Sequence, residues 1–240
     1  MTSGVVGKEP WVLRLDGTTG TISSLESTGE PLTAQLTAEL AARGLVLQRR
    51  DASANQAIRR ASGLIARVPS LERVVLTCVR DISILESHDP HIDVSHSEPR
   101  WPNLIFVSVP PDNPVGDVRL AEAVIHEAMH LNLSLLECRV RLVKVGRQLY
   151  SPWRSAPRPA GGVLHGLYVF VCLLRFFEIL GGGGALLPDQ QNHLSRRRTQ
   201  ILDDCAGIGR DELFPTLTIR GRTFLRKLFE IVDEAALRAL

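Results

Sequence analysis

The chain has 240 residues, 44% hydrophobic and 22% charged, with a formal net charge of +2. Such values describe an ordinary globular protein, long enough for one sizeable unit over residues 70–240 with a smaller N-terminal helical lobe over 1–69. They give no case for nucleic-acid binding, and the basic clusters Arg49-Arg50, Arg59-Arg60 and Arg196-Arg197-Arg198 read as solvated faces.

In chain order, residues 1–30 are rich in Gly, Ser and Thr and read as irregular or a loose hairpin. Pro31–Leu45 carries a helical pattern with Gly44 as its breaker, and Asp51–Val68 a second, amphipathic one. Arg73–Leu85 is β-branched and reads mainly as strand, broken near Asp81. A loop dense in turn formers and histidines spans Ser87–Pro102, and Asn103–Val109 is a second strand. Asp117–Leu149 reads as one helix with Asp117 at its cap, Pro114 and Gly116 just outside, and an apolar stripe of Ala121, Val124, Ile125, Ala128 and Leu135. Ser151–Gly162 is a Pro- and Gly-rich loop leading into the apolar run Val163–Leu180, and Gly181–Gly184 is a break. Asp189–Asp204 and Leu213–Leu240 are helical, the latter interrupted at Thr218-Ile219-Arg220-Gly221. The fold class expected is α+β, mainly helical, with a small sheet packed beside a helical core.

The run Val163–Leu180 is interrupted by His165, Arg175 and Glu178, which favours a core helix over a membrane span. Residues 1–20 lack the basic start and apolar core of a secretory signal. The four cysteines (Cys78, Cys138, Cys172, Cys205) form no CxxC pair, which excludes a zinc ribbon and points to free thiols in a reducing compartment. A cytoplasmic protein without a membrane partner is expected.

The strongest chemical signal is His126-Glu127-Ala128-Met129-His130, an HExxH pentapeptide within the long helical pattern. At 3.6 residues per turn, His126 and His130 project from one face and can grip a single divalent metal. Glu127 stands about 100° round the helix, where it reaches a metal-bound water rather than the metal. A catalytic metal needs a third ligand. His165 is the best choice among the remaining histidines, because a polar ring in an apolar run needs a partner. Gly162 and Gly166 beside it would let another part of the chain approach closely. Glu122, one turn before His126, is a supporting partner. Glu137 is about 10 Å along the axis from His130, too far for a ligand in a straight helix, and Glu178 is similarly remote.

Five segments occur in a telling order: Asp93-Val94-Ser95-His96-Ser97-Glu98-Pro99; Ile105-Phe106-Val107-Ser108; Glu122 to Leu131 around HExxH; Tyr150-Ser151-Pro152-Trp153-Arg154-Ser155-Ala156-Pro157-Arg158-Pro159; and Gly161-Gly162-Val163-Leu164-His165-Gly166. Together they resemble the HExxH-type 2-oxoglutarate-dependent peptide β-hydroxylases found beside ribosomally made peptide natural products. The resemblance covers roughly residues 70–180 and leaves the N-terminal 60 residues and the C-terminal helices almost untouched. It implies Fe(II), 2-oxoglutarate and O2, and hydroxylation of a side-chain β-carbon of an Asp, Asn or His residue in a ribosomal precursor peptide. Imidazole suits iron as well as zinc, so ligand type does not select the metal. The distal carboxylate of 2-oxoglutarate calls for an arginine fork, and Arg154 or Arg158, in the loop before His165, is expected to supply it, with Arg175 and Arg119 in reserve. His96 and Ser97 are expected on the peptide side of the pocket, His96 with a surface position as its alternative.

Two other classes compete. In a zinc metallopeptidase Glu127 would be the general base, yet no HxxGxxH continuation or NExxxE-like helix follows His130. A non-enzymatic peptide-binding helper would have little reason to keep His126, Glu127, His130 and His165 together.

Overall fold

The computed structural model describes residues 13–15, 22–23, 34–49, 51–184 and 186–238. By contact the chain forms two compact units, residues 1–131 and 132–240. The helices before residue 69 fall in the same unit as the sheet.

The first unit is built on a five-stranded sheet. Its strands are β1 (Leu13–Leu15), β2 (Ile22–Ser23), β3 (Asp81–Leu85), β4 (Ser95–Ser97) and β5 (Leu104–Ser108), in spatial order β2-β1-β3-β5-β4. The pairing of β1 with β2 fits the loose hairpin; the rest of residues 1–30 lies outside the described residues. β3 and β5 run parallel at the centre, and β4 is antiparallel to β5 with His96 opposite Phe106. Both central strands are buried over their last four residues, which accounts for their continuous apolar runs. One sheet face packs on α1 (Ala34–Ala41), where Leu36, Leu40, Leu85 and Phe106 form a cluster joined by Val94 and Trp101.

Helix α2 (Ala52–Ala66) starts where Asp51 accepts a 2.8 Å hydrogen bond from the Ala54 amide, and buries Ala54, Ala57, Ile58, Ala61 and Ile65 at helical spacing. The stretch after it departs from expectation. Residues Pro69–Cys78 form helix α3, and strand begins only at Asp81. The β-branched run concealed buried positions at Leu71, Val75 and Cys78, a helical period, behind a proline in the first turn.

Helix α4 (Pro114–Glu137) carries HExxH. Pro114 opens the helix, and Asn113 takes the capping role by accepting from the Gly116 amide at 2.8 Å. Asp117 lies inside the first turn and accepts instead from Arg60 at 2.8 and 2.9 Å. Ala121, Val124, Ile125 and Ala128 are buried as the stripe requires, whereas Leu135 is 52% exposed. The helix stops at Glu137, not Leu149. Beyond it Val143 bridges to Leu217 and the Lys144 amide donates to the Thr216 carbonyl at 2.7 Å. Those cross-chain bonds replace helical ones in a stretch weakened by Val140, Val143, Val145 and Gly146.

In the second unit the expected Pro-rich loop is an ordered hairpin. Strands β6 (Gln148–Ser151) and β7 (Ala156–Pro159) flank a 3-10 turn at Pro152–Arg154. Ser155 closes that turn with φ 48°, which makes it one of two described non-glycine residues in the left-handed region. Helix α5 (Ala160–Gly182) follows and packs on α6 (Pro188–Ala206) and α8 (Ile219–Leu237), with the short α7 (Arg210–Leu213) between those two. Among the described residues α5 alone is long and apolar enough to cross a membrane, and 67% of that apolar window is buried within the protein. It is hydrophobic nearly all round because it is a core helix. Thr218 caps α8 by accepting from the Gly221 amide, which explains the interruption before it.

Phe106 is fully buried in the α1 cluster, and Asp51 is an exposed cap. Phe106→Ala should lower the unfolding free energy by about 3–5 kcal/mol and Asp51→Ala by about 1 kcal/mol. Urea denaturation followed by far-UV circular dichroism reads both, and equal losses would contradict this account of the core.

Candidate metal centre

The HExxH side chains sit on α4 in the first unit. The Nε2 atoms of His126 and His130 converge to 3.2 Å, with the rings edge to face at 4.8 Å between centroids. Ligand bonds of roughly 2.0–2.1 Å to one ion place two neighbouring imidazole nitrogens at about this separation. The donor pair therefore fits a divalent transition metal, and imidazole accommodates iron or zinc alike. Among the described residues no group of three or more His, Cys, Asp and Glu forms a ready cage, so the helix presents a pair of donors.

Glu127 is 4% exposed, a buried carboxylate that must be matched by donors. Both donors come from β4. The Ser95 hydroxyl donates to Oε1 at 2.6 Å and the Ser97 hydroxyl to Oε2 at 2.5 Å. Two residues apart on a strand, these serines face the same side, so they meet the two carboxylate oxygens as a matched pair. Ser97, expected against a peptide, is thus committed through its side chain to Glu127.

His96 points to the opposite sheet face. Its ring lies 6.3 Å from Trp101 and 6.2 Å from Phe106, and its Nε2 is 3.1 Å from Arg43. Arg43 also pairs with Glu98, which Arg100 bonds from its other side, and Arg100 reaches Glu39 at 2.7 Å. This network ties β4 and the turn after it to α1. Burial pushes the His96 imidazole below its usual value, with the Glu127 charge opposing and the Arg43 charge adding to the shift.

His165 belongs to the second unit, in the first turns of α5. Its Nε2 is 2.8 Å from Oε2 of Glu137. Three residues on, Tyr168 accepts from Asn132 at 2.6 Å and also bonds the Cys172 thiol, which burial pushes up to about 12. His165, Tyr168 and Cys172 thus form a polar line along an apolar helix, matched by Asn132 and Glu137. Sequence reasoning noted Glu137 only as a remote ligand and missed Asn132 and Tyr168. A pairing across 28 residues leaves no local signal, although a lone tyrosine three residues from a histidine in an apolar run is a clue.

Gly162 and Gly166 do admit close neighbours, and these are side chains. A Cβ on Gly166 would stand 2.2 Å from the Trp153 indole, and one on Gly162 would stand 3.4 Å from Nε of Arg158. Arg158 therefore lies against α5 one turn before His165. Neither Arg154 nor Arg158 has a carboxylate partner among the described residues. Burial, and beside it the Arg154 charge, hold the Arg158 guanidinium below the usual arginine range. Arg119 and Arg175, in contrast, are paired with Asp93 and Glu178. Glu122 lies half-buried one turn before His126. A shallow depression along α6, lined by Ser195, Arg196, Thr199, Gln200, Asp203 and Asp204, holds none of these groups.

No protein-family model matches the chain, and no curated protein matches it.

Two outcomes follow. Gly166→Ala should cost about 1–3 kcal/mol because the rigid indole must move. Gly63→Ala, mid-helix with open space at its Cβ, should instead stabilise by about 0.5–1 kcal/mol. Thermal unfolding compares them. The depressed His96 value gives stability that is complete above pH about 6.5 and is lost as pH falls through the lower folded value. The urea midpoint of the wild type should therefore drop more between pH 7.5 and 5 than that of His96→Gln.

Proposed function

We propose that this chain is an Fe(II)- and 2-oxoglutarate-dependent oxygenase that hydroxylates a side-chain β-carbon of a ribosomally made peptide. His126 and His130 would hold the metal, with His165 as the third ligand expected from the sequence, and Arg158, assisted by Arg154, would take the distal carboxylate of 2-oxoglutarate. Iron, when bound, supplies the redox chemistry that couples decarboxylation of the 2-oxoacid to insertion of one oxygen atom into the peptide.

The observation that carries this reading is the clamp on Glu127. In a peptidase that carboxylate takes a proton from the attacking water and delivers it to the leaving amine, so it has to reorient. Here each oxygen already accepts from a serine hydroxyl, and the two bonds fix both the plane and the position of the group. Such a carboxylate suits a role in holding α4 and its histidines, which an oxygenase needs and hydrolysis does not. The arginine pair adds to this. Two like charges side by side without an acidic partner among the described residues, next to the positive end of a 23-residue helix, form a receptive place for an anion.

Anaerobic reconstitution with iron or zinc and mass analysis of a candidate precursor peptide separate the two enzymes. The expected product gains one oxygen and requires 2-oxoglutarate; cleavage without a 2-oxoacid would overturn the proposal. His126→Ala and His130→Ala should abolish metal binding. Arg158→Ala should raise the KM for 2-oxoglutarate by about a hundredfold or more at normal iron content, since losing one partner of a desolvated charge pair costs roughly 3–5 kcal/mol. Normal iron content in His165→Ala would remove that residue from the ligand set.

A further inference from the structure

The β4 strand offers a second kind of recognition, through its main chain. The Ser108 amide donates to the Val94 carbonyl at 2.7 Å, and the Val94 amide turns to the Ser108 hydroxyl at 2.9 Å. With Ser95 opposite Val107 and His96 opposite Phe106, this sets the phase of the ladder. Val94 and His96 direct their amides and carbonyls towards β5, so those of Ser95 and Ser97 point the other way. On that side no strand pairs with β4 among the described residues. Ser95-His96-Ser97 contains neither lysine nor proline, so its outward main-chain groups are not blocked along its three residues.

We propose that an extended peptide segment adds to this free edge as a sixth strand, hydrogen-bonded to the main chain of Ser95 and Ser97. The serine side chains are already used by Glu127, so they contribute nothing to sequence selection. Residues directly opposite each other in a ladder share a sheet face. The peptide residues that pair with Ser95 and Ser97 therefore turn their side chains to the α4 face, where Glu127 lies beside His126. Intervening residues face the Trp101 and Arg43 side. Every second peptide side chain, β-carbon first, is thus presented to the HExxH helix, and affinity comes from backbone bonds available to many sequences. The proposal rests on the peptide-modifying reading for its chemistry but not for its binding.

The test uses a randomised library of N-acetylated decapeptides, selected on the immobilised full chain, and a synthetic copy of a selected binder. N-methylation of that peptide, one residue at a time, should weaken binding about tenfold or more at alternate residues and little between them. Ser97→Pro, which removes an outward amide that β5 does not use, should weaken binding similarly. Ser97→Ala loses the same hydroxyl and keeps the amide, so it should bind more tightly than Ser97→Pro, and the difference between the two variants reads the amide alone. Absence of any binder, N-methyl effects without a period of two, or full affinity in Ser97→Pro would each overturn the edge site. Adding iron and 2-oxoglutarate separates the two readings. A binder with the expected periodicity that never gains oxygen sinks the hydroxylase and leaves the edge standing. Oxygen addition undiminished in Ser97→Pro sinks the edge alone.

Discussion

A carboxylate withdrawn from water has to be matched, and the first unit is arranged around matching Glu127. An unpaired ionised group at that depth would cost several kcal/mol. Two hydroxyls on alternate residues of β4 meet its two oxygens at 2.6 and 2.5 Å. That contact fixes the rotation of α4 against the edge strand. It also fixes the heading of His126, the preceding residue, and of His130 one turn on. The convergence of two Nε2 atoms to 3.2 Å is a consequence of that rotation together with helical pitch. The opposite face of the same strand is anchored independently, by His96 against Trp101 and Phe106 and by the Arg43, Glu98 and Arg100 network.

Charge in the second unit is organised differently. Arg175 pairs with Glu178 and Arg210 with Asp233. Arg154 and Arg158 are held side by side by the β6–β7 hairpin at the start of α5, without a counter-charge among the described residues. Repulsion between like charges and partial burial of one of them is unfavourable in the protein alone. An anion placed between them would recover that energy.

Helix α5 shows how few polar groups an apolar helix tolerates and how completely it satisfies them. His165 meets Glu137, and Tyr168 meets Asn132 and Cys172. Glu137 fixes the orientation of the His165 ring through one nitrogen. The two small residues that flank the histidine serve the hairpin: the Trp153 indole and the Arg158 side chain occupy the space a methyl group would fill.

The sequence by itself determined the elements whose physics is local. HExxH on a helix, the amphipathic α2, the apolar α5 and the mainly helical α+β class all follow from periodicity and composition within a few residues of one another. Where local cues conflicted it misled: β-branching in Val74-Val75-Leu76 outweighed the buried spacing of Leu71, Val75 and Cys78, and helical propensity ran past Glu137 because the competing bonds come from Thr216 and Leu217. Tertiary structure alone decided what the site residues touch. Ser97 turns to Glu127 and His96 away from it because alternate strand residues take opposite faces. Glu137 finds His165 because the fold brings the end of α4 beside the first turns of α5. Such partners lie 28 to 32 residues apart, and only packing brings side chains at that separation to hydrogen-bond distance.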